Sequence, residues 1–210
     1  ASGMAAALAA SENPNVNILL FERQARLGRK LMATGNGRCN LTNLQAGPQN
    51  YHGDAPDFAK FALSGFDARQ TLAWFEKLGL LTVAEPSGRV YPYSDQANSV
   101  LDVLRFSLER PNIQVLTGCE VSKVKKTEQG FSVYAGEDCY LCDKLVVACG
   151  GLAGTKLGGS MSGYKLLGKL GHRSTRLRPA LVQLKTENTW VRSLKGVRAD
   201  AAVTLKRGGE

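Results

Sequence analysis

An apolar run at residues 16–21 opens directly onto a polar, glycine-rich stretch at 23–43, and this junction constrains the fold more than any other feature. A near-continuous apolar run of this kind marks a strand covered on both faces, as in a parallel sheet. The stretch that follows is too long for an ordinary connection, and long loops in compact domains tend to carry function. Ahead of the strand, residues 2–10 read as a helix of small residues stopped at Asn13-Pro14. Helix, buried strand and functional loop in that order predict an α/β chain.

The remaining pattern agrees. Residues 57–63 and 67–78 carry helical spacing, with Leu72, Phe75 and Leu78 on one face of the second. Residues 80–83 and 89–93 flank Pro86-Ser-Gly88 and read as a hairpin. Residues 94–109 form the clearest helix, with Val100, Leu101, Leu104 and Leu108 inward and Pro111 beyond its end. Strands are expected at 113–116, 121–125, 131–134 and 144–149, an edge strand at 137–143, and a short helix at 163–170 ending at Gly171. After Pro179 the pattern changes to alternating strands at 181–185 and 201–206. The expected division is therefore 1–178 for the first domain and 179–210 for the start of a second, β-rich one.

Charge and cysteine content narrow the function classes. The 210 residues hold 27 Lys and Arg against 18 Asp and Glu, a net +9. Either an anionic partner uses this excess, or acidic segments outside the chain balance it. The basic groups at 23–30, 123–126 and 173–178 are not interleaved with aromatics, which argues against a nucleic-acid surface. No apolar run approaches the ~20 residues that cross a bilayer, and no signal peptide opens the chain, which places it in the cytoplasm without a membrane partner. Five cysteines, an odd number, suit reduced thiols. Cys139 and Cys142 form a CxxC with no second pair to complete a zinc site, and it sits on an expected strand rather than at a helix start, where a redox pair belongs.

Two constellations carry chemistry. In a dinucleotide-binding βαβ unit the last fingerprint glycine lets helix and strand pack closely, and an acidic residue about 20 positions later accepts hydrogen bonds from the ribose. Gly3 and Glu22 have that spacing and context. The preceding strand and first two glycines are absent, so the chain is expected to begin inside the motif. The second constellation is Gly28-Arg-Lys-Leu-Met-Ala-Thr-Gly-Asn-Gly-Arg-Cys-Asn-Leu-Thr-Asn43. Gly35 and Gly37 permit close backbone approach and positive φ. Arg29, Lys30 and Arg38 suit a pyrophosphate. Asn36, Asn40, Thr42 and Asn43 offer neutral donors and acceptors for a flavin ring edge.

This loop resembles the signature of the bacterial flavoproteins that include the bile-acid dehydro-steroid reductases and aminoacetone oxidase-like enzymes. The resemblance continues through Gly88-Arg-Val-Tyr-Pro-Tyr-Ser-Asp-Gln-Ala97, Leu145-Val-Val-Ala-Cys-Gly-Gly-Leu152, Lys156-Leu-Gly158, Gly163-Tyr-Lys-Leu-Leu167, Gly171-His172 and Leu177-Arg-Pro-Ala-Leu-Val182. It implies a Rossmann-like FAD-binding domain of glutathione-reductase type, interrupted by an inserted substrate-side domain. It implies that Gly3 and Glu22, with Ser2 and Arg23 beside them, hold the ADP half of FAD. Arg29, Lys30 and the loop Gly35, Asn36, Gly37, Arg38, Cys39 and Asn40 would border pyrophosphate and flavin. Val121 would present its backbone to adenine, and Cys149, Gly150 and Gly151 would form the turn beside the cofactor. Two departures stand out: Cys149 where such proteins often carry Thr, and Met161-Ser162 in place of Gly-Asp. The family's closing flavin motif is not in these residues.

The resulting expectation is an FAD-dependent oxidoreductase acting on a small organic substrate, with NAD(P)H as a candidate hydride donor and no catalytic residue or metal assigned. The alternative is a non-catalytic nucleotide- or RNA-binding module on the same fold. Cys39 lacks a partner thiol for redox work and reads as a packing residue. His172 follows the Gly171 helix stop and reads as a cap or surface residue.

Overall fold

A computed structural model describes residues 1–210 except 54, 180–186, 198–200, 203, 205 and 207–210. The chain divides into two units, 1–175 and 176–210.

The first unit is built on a parallel strand pair. Helix α1 (Ser2–Ala10) leads to β1 (Ile18–Glu22), which pairs in parallel with β5 (Ile113–Thr117), Ile18 opposite Ile113 and Glu22 opposite Thr117. Parallel strands need a long crossover. Here it holds β2 (Thr42–Asn43), α2 (Lys60–Gly65), α3 (Ala68–Lys77), β3 (Thr82–Ala84), β4 (Arg89–Pro92) and α4 (Ala97–Ser107). Strands β2, β4 and β3 form a small antiparallel sheet in that order. The expected hairpin is its β3–β4 half. After β5, strands β6 (Val121–Lys126), β7 (Phe131–Ala135) and β8 (Asp138–Cys142) form an antiparallel meander, and α5 (Ser162–Lys169) follows.

Two apolar clusters hold these elements. The first joins Met4, Ala7 and Leu8 of α1 to Leu31, Cys39 and the inward face of α4, Val100, Leu101, Leu104 and Leu108. All four inward positions expected for α4 are buried. The second joins Val124 and Val133 of the meander to Leu166 of α5. Asp67 caps α3 by accepting from the Gln70 N–H, while the Gln70 side chain accepts from the Asp67 N–H. Helices α3 and α5 both end at a left-handed glycine, Gly79 and Gly171. In α5 the N–H of Gly171 reaches Gly168 O and that of His172 reaches Leu167 O, so His172 closes the helix through its backbone.

Three expectations change. Helix α4 begins at Ala97 rather than at 94, because Asp95 adopts a left-handed φ of 57° that a helix cannot include. The described residues do not cover strand β1 on both faces: Leu19 is exposed. Residues 144–149 carry strand composition but form no strand. A strand exists only through a partner backbone about 4.8 Å away, and none of the described strands pairs with this segment. It still runs past α1: a Cβ on Gly3 would stand 3.5 Å from Ala148 Cβ.

The described residues of the second unit hold α6 (Asn188–Val191) and a 3-10 turn, Arg192–Leu194. The expected strand at 181–185 lies outside the described residues, as do 203 and 205 of the expected strand at 201–206; residues 201, 202, 204 and 206 are in no strand. No helix among the described residues is long and apolar enough to cross a membrane.

Candidate functional site

Helix α1 runs back along β1, so the helix N-terminus and the strand C-terminus share one end. Asn112 fixes the turn between them by donating to Ser11 O and Val16 O at 3.2 and 3.1 Å. At the other end a Cβ on Gly3 would lie 3.3 Å from Leu20 Cδ1. A small residue at this position lets the helix come near both β1 and the 144–149 segment. No side chain caps α1, and its first intrahelical bond is Ala5 N–H to Ala1 O. The N–H groups before Ala5 have no intrahelical partner, and the positive end of the helix dipole lies here.

Glu22 terminates β1 at this same end. Its Oε1 accepts the Gln24 N–H at 2.8 Å, which fixes the carboxylate at the strand tip. The strand end is tied further by Cys119 N–H to Glu22 O and Gly118 N–H to Gln24 O, both 2.9 Å. Burial raises the Cys149 thiol pKa and the Glu22 carboxylate adds to the shift, which places Glu22 beside the Cys149–Gly151 turn.

Residues 23–30 and 149–158 are laced together. Arg23 donates to Gly158 O at 2.5 Å and lies 3.8 Å from Glu120. Arg29 donates to Gln24 Oε1 and to Lys156 O, both at 3.2 Å. Lys30 reaches over Gly150, whose Cβ would stand 4.0 Å from Lys30 Nζ. Gly150 has φ 70°, so the turn beside it suits glycine on conformational grounds. A Cβ on Gly163 would stand 3.0 Å from Cys149 Cβ, which sets α5 directly against the Cys149–Gly151 turn.

The segment from Gly28 to Asn43 packs against this end of the fold. It starts against α4, where a Cβ on Gly28 would fall 2.2 Å from Leu101 Cδ1. A 3-10 turn, Leu31–Gly37, breaks at Thr34, Gly35 and Asn36, the last two left-handed. Leu31 and Cys39 are buried in the first core, while Asn36 and Asn40 are exposed. Gly35 is required by contact as well as conformation, since its Cβ would meet Asn40 N at 2.6 Å. Burial pushes the Cys39 thiol pKa up, and a hydrogen bond with Thr34 opposes this. The segment then joins the small sheet through Leu41 N–H to Val90 O at 2.8 Å.

Arg38 is placed differently from the expectation. It donates through Nη2 to Glu85 at 2.8 Å and through Nε to Asp95, and its guanidinium lies 3.8 Å above the Tyr91 ring. Glu85, then Asp95, raise its pKa, so it is charged throughout the working range. Two carboxylates therefore already face this charge. Asn43 is likewise engaged within the protein: its side chain donates to Ser87 O at 3.4 Å and accepts the Gln45 N–H at 2.8 Å. Sequence reasoning missed Glu85, Tyr91 and Asp95. The signal for the last two was their place within the second resembling motif, 88–97.

Val121 begins β6 opposite Ala135, and β6 is an edge strand whose outer side pairs with no other described strand. Farther along β6 the structure adds an aromatic that the sequence pattern does not show. No aromatic interleaves residues 123–126 in sequence, yet Lys123 and Lys125 stand 5.3 and 5.9 Å from the Tyr134 ring centroid. The neighbouring strand supplies the aromatic. A cleft of about 740 Å³ near these residues is lined by Lys125, Lys126, Lys169 and His172, and by none of the expected cofactor residues. Cys139 is exposed on β8, an edge strand as expected, and Cys142 is half-buried.

Residues 1–204 match the family described as the HI0933-like protein Rossmann domain. The chain belongs to this family. It is 40% identical over 209 residues to a 3-dehydro-bile acid delta(4,6)-reductase of Clostridium scindens, covering 99% of this chain and 51% of that protein. It is 31% identical over 194 residues to a ribosomal RNA dihydrouridine synthase of Escherichia coli, covering 91% and 48%. A ribosomal RNA dihydrouridine synthase of Haemophilus influenzae is 24% identical over 198 residues, covering 91% and 49%. The chain thus spans about half the length of these relatives.

Proposed function

We propose that this chain supplies the FAD-binding half of a flavin-dependent oxidoreductase. The observation that carries this reading is the convergence of the head of α1, Glu22, Lys30 and the Gly150 turn at the carboxyl end of a parallel strand pair. In open α/β sheets that is where nucleotides bind. Membership of a Rossmann family and 40% identity to a protein named as a reductase support it.

In this reading the second oxygen of Glu22 accepts from the adenosine ribose. The free N–H groups at the head of α1 face the pyrophosphate, and Lys30 neutralises it from the side of Gly150. Ser2 and Arg23 flank these groups, Arg29 holds the 156–158 loop in place, and the outer edge of Val121 borders adenine. The exposed backbone and side chains of Gly35, Asn36, Gly37 and Asn40 border the flavin, with Cys149 and Gly151 across from them. When bound, FAD supplies hydride transfer to or from a small organic substrate. The glutathione-reductase-type arrangement, with residues after 178 opening an inserted domain, belongs to the same proposal. The test is the full-length protein purified without added flavin: absorbance near ~450 nm, the flavin's own band, and release of FAD on denaturation support the reading. Full-length protein that neither carries nor takes up FAD rejects it.

A second reading has one observation in its favour. Lys123 and Lys125 over Tyr134 combine cations with a stacking platform, which suits a polyanion carrying bases, and two relatives are named for ribosomal RNA. An RNA substrate or RNA-binding module predicts that Lys123→Gln with Lys125→Gln weakens RNA retention and lowers its salt slope by about one per lost phosphate contact. Retention equal to the parent at every salt concentration rejects it.

A further inference from the structure

Three non-glycine residues have positive φ among the described residues: Asn36 at 57°, Cys39 at 58° and Asp95 at 57°. All three belong to one cluster. Asn36 and Cys39 flank Arg38, and Asp95 is bonded to it. Asn and Asp tolerate the left-handed region better than most residues, but Cys has no such help. Strain of this kind persists only where the surroundings over-determine it, and it gathers at functional sites.

The surroundings are visible. Arg38 joins three segments distant in sequence: its own loop, the β3–β4 turn through Glu85, and the turn before α4 through Asp95. Each is braced independently. Glu85 N–H bonds to Arg89 O and Gly88 N–H to Glu85 O, both 2.8 Å, and Asp95 N–H bonds to Pro92 O at 2.8 Å. Tyr91, under the guanidinium, is buried in β4. A planar fork can meet two carboxylates in its own plane while its face lies on a ring; an ammonium cannot.

We infer that Arg38 is a positioning residue, which locks the Gly35–Asn40 backbone in its left-handed course for the cofactor by bridging Glu85 and Asp95 over Tyr91. This rests on the FAD reading for the identity of the ligand, but the lock itself does not. Direct anion binding fits worse: one positive charge between two negative ones leaves a net negative cluster, which repels a pyrophosphate.

The experiment uses the full-length protein with Arg38→Gln, Arg38→Lys and the double variant Glu85→Gln, Asp95→Asn. Backbone hydrogen exchange over 34–41 reads the lock without any ligand. The FAD dissociation constant and the visible circular dichroism of bound flavin read its consequence. All three variants should exchange faster in 34–41, bind FAD about tenfold more weakly as preorganisation is lost, and change the flavin dichroism; lysine should not rescue. Weaker binding by Arg38→Gln alongside unchanged or tighter binding by the double variant would mean that Arg38 touches the cofactor itself, and overturns the inference. So does parental exchange in Arg38→Gln, or full rescue by lysine. A parent protein that takes up no flavin removes the FAD reading and the flavin part of this inference, while the exchange data alone still decide whether Arg38 holds the loop.

Discussion

Gly3 and Ala148 stand against each other across 145 positions of sequence, a Cβ on the glycine lying 3.5 Å from the alanine's. On its other side the same atom would lie 3.3 Å from Leu20 Cδ1. Gly3→Ala therefore sets a helix-propensity gain of up to ~1 kcal/mol against one tight contact, and should leave stability near the parent's. Gly3→Val adds two methyls where there is no room and should cost about 1–3 kcal/mol. Urea unfolding of both variants checks this; equal midpoints would show that α1 does not rest on the glycine.

Glu22 carries the ribose contact in the FAD reading. Glu22→Ala should weaken FAD binding by about 1.5–3 kcal/mol, the range for a hydrogen bond to a charged group. Glu22→Gln keeps an oxygen for the Gln24 N–H and should lose less. Fluorescence titration of the full-length protein with FAD gives the order. Parental affinity in Glu22→Ala removes the carboxylate from the site.

Gly28 and Gly130 both have positive φ, 81° and 152°, but meet different obstacles. An alanine Cβ at 28 strikes a Leu101 methyl at 2.2 Å, and that side chain can turn; at 130 it strikes Cys142 O at 2.1 Å, which is backbone. Gly130→Ala should therefore destabilise more than Gly28→Ala, each by at least ~1 kcal/mol for the strained backbone. Thermal melting of the two variants side by side tests the ranking.

Cys39 and Cys139 should separate by thiol chemistry. Cys139 is exposed, whereas Cys39 is buried, and burial raises its thiol pKa. The thiolate is the reactive form, so at pH 8 an aromatic disulfide reagent should modify Cys139 well before Cys39. The raised value also fixes the sign of the pH effect. The neutral thiol's stabilising contribution is whole below the ordinary value of ~8.5 and fades as pH rises through the higher folded value. Cys39→Ala should accordingly show a shallower fall of melting temperature above that pH than the parent. Equal labelling rates at positions 39 and 139 would contradict the buried placement.

The local elements follow from short-range pattern in the sequence. The spacing of Val100, Leu101, Leu104 and Leu108 gave α4 its inward face, and small residues followed by an apolar run gave α1 and β1. The concentration of Gly, Arg and Asn between 28 and 43 marked the loop that the fold sets beside the head of α1. These features are legible because periodicity, capping and left-handed turns depend on residues within a few positions of one another.

Which groups face each other depends on the packing of distant segments. Arg38 reads in sequence as a free cation, and becomes a bridge because Glu85 and Asp95 arrive from 47 and 57 residues away. Residues 123–126 read as lysines without an aromatic, yet β7 brings Tyr134 beneath them. Residues 144–149 have the composition of a strand but form none, since a ladder is a property of two backbones and not of one. Charge pairing, stacking and strand pairing all need partners that chain connectivity leaves unspecified, and packing alone supplies them.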